Sequence, residues 1–149
     1  MTTSALTGFT LSVDDLDAAA AWYGDSFGLT TAGRFGLEPY QLEGVVLGSD
    51  AGWTLELLHR TGSTGRDRVA HPLDAALLRG LAGVQVDVDD LDATLSRLET
   101  AGATVLMPAH PGPSGMSAFV ADPEGNVIRL RDPHAPTPPP PPGAPGAPA

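Results

Sequence analysis

Two stretches of the chain alternate apolar and polar side chains. They are Phe9-Thr10-Leu11-Ser12-Val13 and Val84-Gln85-Val86-Asp87-Val88. A period of two predicts a strand with one buried face. Each stretch runs into nearly the same heptapeptide, VDDLDAA from Val13 and VDDLDAT from Val88. The period then changes. Leu16, Ala19, Ala20 and Tyr23, and later Leu91, Leu95 and Leu98, recur at helical spacing. Asp14 or Asp15, and Asp89 or Asp90, sit at the strand-to-helix junctions, where carboxylates cap backbone N–H groups. Gly28 and Gly102 follow as helix-ending residues. Three further strands are expected after each helix, over residues 31–35, 40–47 and 53–59, then 103–107, 116–121 and 127–131. In Asp122-Pro123-Glu124-Gly125-Asn126, Pro123 presets φ and Gly125 supplies a positive φ, so a hairpin turn is expected. Residues 61–70 read as a polar loop and 71–81 as a short helical link. The order strand-helix-strand-strand-strand occurs twice. Such an internal repeat implies two copies of one supersecondary unit. The fold class is therefore α+β, with two tandem βαβββ modules at about 6–60 and 80–132.

Composition narrows the function. The 149 residues include 18 acids and 8 basic residues, for a net charge of −10, and no Cys. All the basic residues are Arg. Disulfide frameworks and thiolate zinc modules need Cys and are excluded. A nucleic-acid binder needs a basic face, which this balance opposes. No stretch approaches the ~20 apolar residues of a membrane-spanning helix, and the first residues lack the pattern of a secretory signal. The expected compartment is the cytoplasm. From Pro133 onward only Pro, Ala, Gly, Thr and His occur, with a run of five prolines at Pro138–Pro142. This segment cannot form a core and is expected to be a solvated, disordered tail, 133–149, beyond a folded domain of 1–132.

The first strand with VDDLDAAAAWYGDSFGLT, the segment VQVDVDDLDATLSRLETAGA, and FVADPEGNVIRL together resemble the vicinal oxygen chelate superfamily of glyoxalases, bleomycin-resistance proteins and dioxygenases. The resemblance spans nearly all of residues 1–132. It implies that the two curved sheets form a cup holding the ligand. Enzymes of the family place four metal ligands there. Carried over, those positions are Gly8, Glu56, Gly83 and Arg129. Only Glu56 can ligate: glycine has no donor side chain, and guanidinium is a fixed cation. A divalent ion wants three or four protein ligands. No metal and no cofactor is therefore expected.

Strand alternation separates the faces independently. Phe9, Leu11 and Val13, Leu55 and Leu57, the three valines of 84–88, and Ile128 and Leu130 should face the helices. Thr10, Ser12, Glu56, Leu58, Gln85, Asp87, Val127, Arg129 and Arg131 should face the cup. That lining is mostly small and polar, as a solvated site requires. Glu56 and Arg129 occupy equivalent strands and are expected to approach one another, either as polar anchors for a ligand or as a structural ion pair. Phe35, Tyr40 and Trp53 are candidates for stacking on a planar ligand or for core packing. Trp22 and Tyr23 read as core. The candidate ligand-binding set is Thr10, Ser12, Phe35, Tyr40, Trp53, Glu56, Leu58, Gln85, Asp87 and Arg129. His59, His71, His110 and His134 show no ligand spacing. His71 and His110 are expected in polar loops, and His59 opposite Glu56. Ser114 and Ser117 lack a neighbouring His and acid, so a hydrolase triad is unsupported.

Two functional readings follow. In the first, the chain binds an antibiotic or natural product and sequesters it, as metal-free proteins of the resistance type do, from a groove shared by a homodimer. The ligand is then cationic or aromatic. In the second, Glu56 or Asp87 is a general base and Arg129 holds an anionic intermediate in metal-free isomerase, cyclase or lyase chemistry. A metal-dependent glyoxalase or dioxygenase role is a third reading, opposed by the missing ligands.

Overall fold

The structure, a computed structural model, describes residues 4–77 and 79–137. Residues 138–149, which hold the proline run of the expected tail, lie outside the described residues. The chain divides after Arg66 into two compact units.

The first unit contains β1 (Gly8–Ser12), α1 (Leu16–Phe27), β2 (Thr30–Leu37), β3 (Leu42–Gly48) and β4 (Thr54–Arg60). Its sheet has the order β1-β4-β3-β2, with β1 parallel to β4 and the other pairs antiparallel. The second unit contains β5 (Val84–Asp87), α2 (Leu91–Thr100), β6 (Thr104–Gly112), β7 (Gly115–Ala121) and β8 (Val127–Asp132). Its sheet repeats the pattern as β5-β8-β7-β6. Each unit is thus one βαβββ module, and the repeat in the sequence is a repeat in topology.

The helices form where the aspartates permit. Asp15 is the N-cap of α1 and accepts a hydrogen bond from the Ala18 N–H at 2.9 Å. Asp90 does the same for Ala93, also at 2.9 Å. Gly28 ends α1 at φ 67°, a left-handed conformation that glycine adopts without penalty. Asp90→Ala is expected to lower stability by about 1 kcal/mol, because one helix N–H loses its acceptor. Asp89→Ala should stay within about 0.5 kcal/mol. Urea denaturation of the two variants checks the assignment.

In the first unit α1 packs on β2, β3 and β4, and buries Val13, Trp22, Tyr23, Val45, Leu47, Leu55 and Leu57. In the second, α2 packs on β6, β7 and β8 over Leu91, Leu98, Ala118, Val120, Ile128 and Leu130. The β7–β8 hairpin turns on Asp122, a buried carboxylate. Its Oδ1 accepts from the Glu124 and Asn126 N–H groups at 3.0 and 2.8 Å, and its Oδ2 from the Asn126 amide at 2.8 Å. Gly125 takes φ 94°, as the turn requires.

The structure corrects three details of the sequence reading. Tyr40 is not in a strand: Glu38-Pro39-Tyr40 forms a 3-10 turn, and Gln41 then reverses the chain at φ 49°. Pro39 fixes φ and removes a ladder donor, so β3 begins only at Leu42. β6 extends past residue 107 to Gly112, despite Pro108 and Pro111. It is an edge strand with a partner on one side only, so missing N–H groups are tolerated. His110 therefore lies on this strand, paired with Ser117, and not in a loop.

Candidate functional site

Strand register places the polar side chains in rows across each sheet, on the face turned away from its helix. In the first unit one row runs Thr10, Glu56, Val46, Gly33, and the next runs Ser12, Leu58, Gly44, Phe35. Thr10 and Ser12 are exposed, and Glu56 and Leu58 are half-buried. The Phe35 ring lies across Gly44. A Cβ at residue 44 would collide with the tip of that ring, so Gly44 leaves the space the aromatic occupies. The structure therefore brings Thr10, Ser12, Phe35, Glu56 and Leu58 together on one face. It does not bring Trp53 there. The Trp53 ring stacks on Phe9, with centroids 5.8 Å apart, and Phe9 belongs to the helix-facing set. Tyr40 is exposed in its 3-10 turn. His59 binds the Val13 carbonyl through Nδ1 at 3.1 Å, away from Glu56 as its parity implies.

The second unit is richer. One row runs Gln85, Arg129, Phe119, Met107, and the next runs Asp87, Arg131, Ser117, His110. Arg129 occupies the position equivalent to Glu56. Its Nη2 donates to the Ser117 hydroxyl at 3.0 Å, and its guanidinium carbon lies 5.9 Å from the Phe119 ring centre. Ser117 is fully buried. His110 stacks on Phe119 at 6.0 Å with the rings 7° from parallel. Arg131 grips Asp87 through two nitrogens, Nε to Oδ1 at 2.7 Å and Nη2 to Oδ2, and donates to Ser114 Oγ at 2.9 Å through Nη1. Asp87 is thus already engaged. Hydrogen bonding and the charge of Arg131 hold its carboxyl below the usual carboxylate range, and the Arg129 charge adds to this.

A carboxyl whose pKa is lowered on folding stabilises the native state above its unfolded value, about 3.9. That contribution disappears as the pH falls through the lowered folded value. The pair is partly exposed, so the effect is small. Urea midpoints at pH 7 and pH 3 should differ less in Asp87→Asn than in the parent. An equal drop in both would show that the pair adds nothing.

Arg131, Ser114, Ser117, Phe119 and His110, which join this polar face or its contacts, are absent from the sequence-based candidate set. Parity alone puts Arg131 on the correct face. The others need the β6–β7–β8 register, which two irregularities in β6 hide from sequence.

A family model for the glyoxalase/bleomycin resistance protein/dioxygenase superfamily matches residues 5–130. The chain belongs to that superfamily. No curated protein sequence matches it. Among solved structures, a glyoxalase family protein from Bacillus cereus is similar at 21% identity and TM-score 0.73, over 89% of this chain and 95% of that one. The trypanothione-dependent glyoxalase I of Leishmania major is similar at 19% identity and TM-score 0.68, over 88% of each chain. TnmS3, an antibiotic binding protein from Streptomyces sp. CB03234, is similar at 24% identity and TM-score 0.65, over 89% of this chain and 98% of that one. The superfamily therefore includes enzymes and antibiotic binders on one fold.

The residues present do not fit the divalent metal that the superfamily's enzymes imply. Of the four carried-over positions only Glu56 has a donor, and among the described residues no three His, Asp or Glu side chains cluster as a metal would need. The two glycines are also sterically closed. A Cβ on Gly8 would lie 2.5 Å from the Thr54 carbonyl oxygen, and one on Gly83 would lie 2.8 Å from the Val127 carbonyl oxygen. The same close approach between the first and last strands occurs in both modules. Gly8 and Gly83 are there for packing, at positions where a ligand side chain would force the strands apart.

Proposed function

We propose that this protein binds an antibiotic or related natural product and sequesters it, unchanged and without a metal. The observation that supports this most is the character of the sheet faces. They carry hydrogen-bonding groups and aromatic rings, Thr10, Ser12, Glu56 and the exposed Phe35 in one unit and Gln85, Arg129 and the half-buried Phe119 in the other. The ligand positions of the superfamily's enzymes carry two glycines and an arginine. Recognition groups without metal donors suit holding a ligand better than Lewis-acid chemistry. The similarity to an antibiotic binding protein points the same way. In this reading Glu56 and Arg129 are polar anchors, the ligand is a cationic or aromatic natural product, and the protein acts as a cytoplasmic homodimer.

Equilibrium dialysis against a panel of planar aromatic antibiotics, with mass spectrometry of the recovered compounds, tests the proposal. Binding near one ligand per chain with full recovery is expected. Catalytic conversion of a bound compound would replace sequestration by the metal-free enzyme reading. Failure to bind any member of the panel would oppose both.

A further inference from the structure

In the second unit, Arg129 is a cation with unspent donors. Its hydrogen bond goes to Ser117, and its buried Nε has no acceptor among the described residues. Asp87, whose carboxyl feels the Arg129 charge, already pairs with Arg131. A guanidinium carries five N–H donors in a rigid fork that matches a carboxylate. Around Arg129 the sheet supplies the rest of a recognition site. His110 stacks on Phe119, and the guanidinium lies over the Phe119 ring. Ser117 fixes one nitrogen. Gly112 leaves the approach free of a side chain: a Cβ there would stand 3.0 Å from Ser117 Oγ and 3.4 Å from Arg129 Nη2.

We propose that Arg129, Ser117 and Phe119 form an anchoring subsite for a planar aromatic ligand that carries a carboxylate. The carboxylate pairs with the Arg129 donors that Ser117 does not use, and the ligand ring joins the Phe119–His110 stack. Arg131 is not an anchor, because Asp87 and Ser114 use its donors. The proposal rests on the binding reading above and names the ligand chemistry on one wall of that site. It also revises the expectation drawn from net charge. The −10 belongs to the whole chain, whereas this face offers a cation.

The test uses the full chain and two probes of the same shape, 1-hydroxy-2-naphthoate and its neutral carboxamide, titrated by calorimetry. The carboxylate is expected to bind at least about tenfold tighter, the difference a charge-assisted pair makes over a neutral one. Arg129→Gln should abolish that preference. Arg129→Lys should keep part of it, and Phe119→Leu should weaken both probes about equally. Circular dichroism confirms that each variant is folded. Equal binding of the two probes, an unchanged preference in Arg129→Gln, or no binding of either probe would overturn the subsite. Antibiotics from the dialysis panel that bind with no dependence on Arg129 would sink the subsite and leave the sequestration reading intact.

Discussion

A chain carrying both Gly8→His and Gly83→His, which places imidazoles at two positions that the family resemblance carries over as metal ligands, is expected to be destabilised and not rescued by zinc. Each Cβ would meet a carbonyl oxygen, of Thr54 in one module and Val127 in the other, at 2.5 and 2.8 Å. Those oxygens belong to the backbone of the neighbouring strand and cannot rotate away. The parallel β1–β4 and β5–β8 pairs must open instead. Overpacking of this kind costs about 1–3 kcal/mol per site, and the sites lie in separate units, so the effects should add. Gly8→Ala and Gly83→Ala should lose nearly as much, which would assign the effect to the Cβ and not to the imidazole. Urea denaturation with and without zinc gives the readout. A double variant as stable as the parent, or one whose midpoint zinc raises strongly, would show that these positions are open to ligands.

Leu130→Ala should cost about 2–5 kcal/mol. Leu130 is fully buried, sits between Val86 and Ala118 in the sheet of the second unit, and points toward α2. Truncation removes its transfer energy and leaves a cavity between the sheet and α2. Against a domain stability of roughly 5–15 kcal/mol, that is a large fraction. Gln85→Ala, on the opposite face of the same sheet, should stay within about 0.5 kcal/mol. The contrast tests the assignment of faces from which the site residues are read. Comparable losses at both positions would mean that the polar face is packed as tightly as the core.

The fold was legible because the chain repeats itself. Two VDDLDA segments, each after an alternating strand, state the module twice, and both aspartate caps form as expected. Alternation also assigned faces correctly along β1, β4, β5 and β8, whose backbones are regular. It failed where regularity fails. Pro39 and the left-handed Gln41 removed Tyr40 from its strand, and the irregular edge strand β6 concealed the pairing of His110 with Ser117 and of Met107 with Phe119. Trp53 shows a different limit. It precedes β4 by one residue, and its stacking on Phe9 depends on a contact between strands that no local pattern encodes. Of the candidate site, the sequence supplied individual polar residues. It could not show that Arg131 takes Asp87 and thereby leaves Arg129 without that acid. Such a pairing is set by cross-strand register, 44 residues apart in the chain.

The most direct measurement of the central claim is ligand affinity by calorimetry on chelator-treated protein, repeated after saturation with zinc, nickel or iron(II). The metal-free account predicts an unchanged dissociation constant and an unaltered ligand in every case. Binding that is lost on chelation and restored by one stoichiometric metal ion would contradict it.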